Sequence, residues 1–116
     1  MKKFLLLLLF IPLLSCQDVE VRKTYYESGV LKSTLNYVDG LAQGEWKYYW
    51  EYKGELKRTE NYVDGLRQGE WKYYWESGTL RSIENYVDDL KQGERKWYYK
   101  SGELKRTVNY VDGVEQ

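Results

Sequence analysis

Residues 61–80 read NYVDGLRQGEWKYYWESGTL, and close copies begin at Asn36, at Asn85 and, cut short, at Asn109. The tyrosine after each asparagine falls at Tyr37, Tyr62, Tyr86 and Tyr110, at spacings of 25, 24 and 24. The glycine that opens each aromatic run falls at Gly44, Gly69 and Gly93. A fixed period in this range marks a repeat architecture, in which one supersecondary unit stacks on the next.

Within a unit the pattern is that of strands. Alternation puts Trp71, Tyr73 and Trp75 on one face, with Lys72 and Tyr74 on the other. Period 2 with aromatic enrichment argues for β structure, and glycines every few residues exclude helices. The first strands are expected at 22–26, 46–50, 71–75 and 95–99, the second at 30–38, 55–63, 79–87 and 103–111. Glu-Ser-Gly or Lys-Ser-Gly separates the two, and an extra residue in 51–54 marks that loop as a tip tolerant of insertion. Asp-Gly-Leu-x-Gln-Gly then leads to the next unit, its glycines suited to positive φ. The third copy has Asp88-Asp89 in place of Asp-Gly, and Asp tolerates the left-handed region well enough for the turn to survive. The fold class is therefore all-β: an elongated antiparallel meander of about eight strands, built from four stacked hairpins over residues 22–116.

Two registers are open inside each hairpin. A two-residue Ser77-Gly78 loop sets Trp75 across from Leu80; a three-residue loop with Gly78 left-handed sets it across from Thr79. The first is favoured because it lets an indole cover a leucine. A slip of one residue exchanges the faces.

The start of the chain reads differently. Lys2 and Lys3 precede an apolar run from Phe4 to Leu14, too short to cross a hydrocarbon core, which needs about 20 residues in a helix. Residues 1–15 are thus expected to be a secretory signal. Leu13-Leu14-Ser15-Cys16 resembles the lipobox of bacterial lipoproteins. That resemblance implies cleavage before Cys16, acyl chains (palmitate among them) on its sulfur and new amino group, and residues 16–21 as a short tether. A membrane partner is thus expected through the lipid on Cys16, and an anchored place in the cell envelope.

Residues 16–116 carry 16 basic and 18 acidic side chains, interleaved rather than blocked. This excludes the strongly basic profile of a nucleic-acid binder and leaves a solvated mixed-charge surface. The chain has no histidine and one cysteine, so His-based metal sites and Ser-His or Cys-His catalysis are absent. Glu45, Glu70 and Glu94 recur at one place in the unit, but a ladder of equivalent carboxylates lacks the distinct site that glycoside hydrolysis needs. No catalytic residue, cofactor or metal is expected.

The pattern Tyr62, Asp64-Gly65, Gly69, Trp71, Tyr74, then Gly78 and Leu80, resembles the MORN repeat in its bacterial form. The resemblance covers residues 22–116 and implies a twisted sheet of stacked β-hairpins with interaction roles. Many bacterial chains of this kind are grouped as the antitoxin component of a YwqK-like toxin–antitoxin system.

With few aliphatic residues after Cys16, the apolar payload is tyrosine and tryptophan. A single sheet cannot bury both faces, and exposed aromatic patches mark interfaces. Trp46, Tyr48, Trp50, Trp71, Tyr73, Trp75 and Trp97 are the expected binding residues. The leading expectation is a lipid-anchored, non-catalytic scaffold for a protein partner. The alternatives are an envelope immunity protein neutralising a toxin, and a module for cell-wall glycan.

Overall fold

The structure is a computed structural model and describes residues 16–116. The leader expected over residues 1–15 lies outside the described residues; Cys16 is exposed and makes no disulfide.

Eight long strands follow the aromatic and second-strand segments of the sequence: β1 (Val19–Tyr25), β2 (Leu31–Val38), β4 (Gly44–Tyr49), β5 (Leu56–Val63), β7 (Gly69–Tyr74), β8 (Leu80–Val87), β10 (Gly93–Tyr98) and β11 (Leu104–Val111). Four two-residue strands bring the total to twelve: β3 (Leu41–Ala42), β6 (Leu66–Arg67), β9 (Leu90–Lys91) and β12 (Val114–Glu115). The eight long strands are the expected ones, and these short pieces add to them. Each is the return arm of an Asp-x turn, long enough for two pairings such as Tyr37–Ala42 and Val38–Leu41. All twelve strands join one open antiparallel sheet in the order β1-β2-β4-β5-β7-β8-β10-β11-β12, with β3, β6 and β9 paired beside β2, β5 and β8.

The Asp-Gly turns are two-residue loops in which both residues have positive φ, as at Asp64 (49°) and Gly65 (81°). This type I′ geometry matches the twist of the flanking strands. Asp88-Asp89 adopts the same turn, with φ of 47° and 73°. After each turn two residues leave the pairing. Tyr37 faces Ala42 but Thr34 faces Lys47, so Gly44 and Glu45 pair only with the next strand, β5. Asn36 holds this step: its Nδ2 donates to the Glu45 carbonyl at 2.6 Å, and its own carbonyl accepts the Gln43 N–H and the Trp46 indole. Asn61 repeats the arrangement with Glu70, Gln68 and Trp71. The glutamine couples units, since Gln43, Gln68 and Gln92 accept the N–H of Asp64, Asp88 and Asp112 through Oε1 at 2.7–2.8 Å. The asparagine and the glutamine of the repeat therefore each have a backbone task.

The hairpin register is the three-residue one. Trp75 N–H donates to the Thr79 carbonyl at 2.8 Å, Gly78 N–H returns to the Trp75 carbonyl at 2.9 Å, and Gly78 has φ of 90°. The favoured Trp75–Leu80 pairing is thus corrected to Trp75–Thr79. A left-handed glycine closing a type I turn costs little backbone strain, and that outweighs the gain from covering a leucine. The register then shifts once more: Tyr74 faces Leu80 and Tyr73 faces Ser82, leaving Arg81 as the extra residue of a β-bulge. The same bulge recurs at Lys32, Lys57 and Lys105.

The core is a line of rings across the strands on one face. Tyr37, Trp46, Tyr62, Trp71 and Tyr86 stack in turn, with centroids 5.1, 4.6, 5.4 and 5.0 Å apart and planes tilted. Tilted rings at this spacing are favourable beyond their buried area. Trp71 and Tyr86, at 7% and 5% exposure, are the most enclosed. The line ends on Arg22, whose guanidinium lies 4.5 Å from the Tyr37 ring centroid; β1 is exposed along its whole length, as a polar edge strand should be.

Candidate functional site

Three rows of side chains cross the ring face. Nearest the Asp-x turns is the ring line just described, and it contains two of the expected binding residues, Trp46 and Trp71. Both indoles donate to backbone carbonyls, those of Asn36 and Asn61. Trp71 is buried, so it serves the sheet rather than an outside partner.

The middle row holds Tyr48 and Tyr73 around two buried carboxylates. Glu60 and Glu84 are 6% and 3% exposed. Tyr73 and Tyr86 donate to Glu84 Oε1 at 3.3 and 3.2 Å, and Arg95 Nε lies 3.1 Å from its other oxygen without hydrogen-bond geometry. Glu60 accepts from Tyr62 at 3.4 Å and pairs with Arg58, whose guanidinium covers the Tyr48 ring at 3.9 Å. Burial, and next the charge of the neighbouring glutamate, raises the Tyr73 phenol to about 12 and lifts Tyr62 and Tyr86 as well. The phenols therefore stay protonated as donors to these carboxylates at neutral pH. Units one and four carry Leu35 and Val108 at the equivalent position, so this row is a local substitution within the repeat.

The third row lies at the hairpin tips and contains Tyr26, Trp50, Trp75 and Tyr99; Trp97 stands in the middle row, at the position of Tyr48 and Tyr73, and borders one of the tip grooves. Here the sheet leaves open grooves. One of about 350 Å³ runs between Trp50 and Trp75, bordered by Arg81, Lys100 and the turn residues Glu76 and Ser77. A second, of about 240 Å³, lies between Trp75, Trp97 and Tyr99, with Arg81, Lys100 and Lys105 around it. Trp75 Nε1 donates to the Tyr98 carbonyl at 3.3 Å and Tyr26 OH to that of Tyr49 at 2.7 Å, which fixes each ring against the following unit. Trp50 Nε1 is buried with no acceptor among the described residues.

The cations of the third row were not singled out by the sequence reading. Lys32, Lys57, Arg81 and Lys105 lie over Tyr26, Trp50, Trp75 and Tyr99 at 5.5, 4.7, 4.7 and 5.6 Å from the ring centroids. Each is the bulge residue of its strand. The signal was present as the repeated Leu-Lys or Leu-Arg dipeptide at 31–32, 56–57, 80–81 and 104–105. Strict alternation hid it, because a bulge re-aims one side chain toward the face its sequence position would deny it. The opposite face is different: Lys47, Lys72 and Lys96 each pair with a glutamate two residues earlier, Glu45, Glu70 and Glu94, at 3.3–3.4 Å. The recurrent glutamates are therefore exposed members of ordinary ion pairs.

An open sheet of identical hairpins, each bonded only to its neighbours, defines a β-hairpin repeat protein. The model of the MORN repeat variant matches residues 21–39, 67–88 and 91–112, together more than half of the chain, and the chain belongs to that family. Each matched stretch ends on the aspartate that starts an Asp-x turn. Searches of curated proteins and of solved structures gave no match. Repeats of this family are in general non-catalytic modules of interaction.

Proposed function

We propose that this chain is a non-catalytic scaffold, exported and lipid-anchored at Cys16, which holds a partner against the hairpin-tip row of its ring face. The observation that carries this reading is the pair of open grooves flanking Trp75. Among the described residues no second layer fills them, whereas the ring line a few residues away is packed by the protein itself. Grooves lined by Trp, Tyr and Arg have the composition of binding hot spots. Of the residues expected from the sequence, Trp50 and Trp75 line the first groove and Trp75 and Trp97 the second, which supports these three as the contacts. Trp46 and Trp71 act by tying adjoining units together in the ring line.

Two experiments test the reading. Replacing Trp75 and Trp97 by alanine in the full chain should abolish cross-linking to envelope components of the producing cell. Replacing the exposed Tyr25 on β1 should not. Equal cross-linking by a folded Trp75→Ala/Trp97→Ala variant defeats the scaffold reading. For the anchor, Cys16→Ser should move the chain from the membrane fraction to the soluble one; retention in the membrane defeats it.

A further inference from the structure

We infer that the hairpin-tip row binds a linear acidic polysaccharide, one carrying a single carboxylate per disaccharide. The inference rests on the scaffold reading of the same face and names its ligand class. Four cations, Lys32, Lys57, Arg81 and Lys105, stand one per unit along the row, each turned onto a ring by a β-bulge. Among the described residues none of the four has a carboxylate within ion-pair distance, while Lys47, Lys72 and Lys96 on the other face are all paired. A cation resting on a ring keeps its donors free and is partly ordered before any ligand arrives. A bulge repeated four times to place an unneutralised charge at the same spot is a feature of binding rather than of folding.

The spacing selects the ligand. One unit is two strands wide, so successive cations lie about 10 Å apart at roughly 4.8 Å per strand. Two linked pyranose rings of an extended glycan span the same distance. Side chains of an extended acidic peptide alternate between its two faces, so the carboxylates on one face recur at about 6.6 Å and miss this period. Rings between the cations suit the apolar faces of sugars. The groove between units three and four shows the combination most clearly: Trp75, Trp97 and Tyr99 with Arg81, Lys100 and Lys105, and no acidic side chain in its lining. Glu76 borders the neighbouring groove but pairs with none of these cations.

The test uses hyaluronan oligosaccharides, which carry one carboxylate per disaccharide, titrated into the full chain at low ionic strength and followed by tryptophan fluorescence. Affinity should rise as the oligosaccharide lengthens until it spans the four cations, and added salt should weaken it. Lys57→Gln with Arg81→Gln should weaken binding roughly tenfold or more. Lys47→Gln with Lys72→Gln on the other face should leave it unchanged, with circular dichroism confirming that both variants fold. Carboxyl-reduced hyaluronan should not bind. The inference is overturned by absence of hyaluronan binding, by equal loss in the two double variants, or by tighter binding to polyglutamate or anionic vesicles. If hyaluronan fails while envelope cross-linking still depends on Trp75, the polysaccharide falls and the scaffold stands.

Discussion

The indole Nε1 of Trp71 donates to the main-chain carbonyl of Asn61 at 3.1 Å, and that same oxygen accepts the N–H of Gln68. One acceptor thus ties together the return arm of the turn, the second strand of one unit and the first strand of the next. The ring is held between Tyr62 and Tyr86 at the same time. Trp71→Phe keeps most of the stacking and loses the hydrogen bond, for an expected cost of about 1 kcal/mol. Trp71→Ala removes the buried ring and should cost about 3–5 kcal/mol. Urea unfolding of both variants separates the two contributions. Equal destabilisation would show that the bond to Asn61, rather than the stack, holds the units together.

Glu84 and Arg95 pair between neighbouring units at two positions where the repeat varies. Where units one and four have Leu35 and Val108, unit three buries a carboxylate; where the inner units have Trp46 and Trp71, unit four has an arginine. Removing one member of a buried pair leaves the other uncompensated, so Glu84→Val alone should cost about 3–5 kcal/mol. Glu84→Val combined with Arg95→Trp restores the apolar pattern and lets a new indole extend the ring line beyond Tyr86. The double variant should recover at least half of the loss. A double-mutant cycle measures this coupling, and strictly additive costs would count against the pairing.

The repeat period, the all-β class, the two faces and the Asp-x turns were legible because each rests on local chemistry repeated at every copy. Asp88-Asp89 shows how far that reaches, since the aspartate's own tolerance of positive φ was enough to forecast the turn. The hairpin register was not legible, because Glu-Ser-Gly permits two loops of similar cost and the choice depends on pairing further along. Nor was the division of labour among the tryptophans. Trp71 and Trp75 are equivalent by alternation, yet one is sealed by neighbours from adjoining units and the other borders a groove. Composition could not reveal that the Leu-Lys dipeptides bulge, and so the row of cations went unseen.

Asp89 illustrates a compensation specific to the aspartate turn. Arg67 donates to it three times: main-chain N–H and Nε to Oδ1, and Nη2 to its carbonyl, each at 2.9 Å. The side-chain bond from Arg67, then that from its main-chain N–H, holds the Asp89 carboxyl below its ordinary value. A carboxyl lowered on folding contributes stability above its unfolded pKa and loses it as pH falls through the folded one. Carboxyl NMR should find Asp89 titrating below the ordinary aspartate value. Arg67→Gln should raise it. An unchanged Asp89 titration in that variant would show that the arginine plays no part.

Alkaline pH should weaken the middle row first. Tyr73 is raised to about 12 by burial and by the charge of Glu84, whereas an unfolded tyrosine titrates near 10. Between those values the unfolded chain has released a proton that the folded chain still holds, so stability falls with rising pH. Its contribution is complete below pH of about 10 and is lost as pH climbs through about 12. Tyr62, Tyr86 and Tyr48 are raised in the same direction, burial being the first cause in each. The urea midpoint should therefore decline steeply in this window. Tyr73→Phe removes one ionisation together with its bond to Glu84: it should be less stable at neutral pH by about 1 kcal/mol, yet lose less on going alkaline. A Tyr73→Phe chain whose midpoint falls as steeply as the parent's would place the alkaline weakness elsewhere in the sheet.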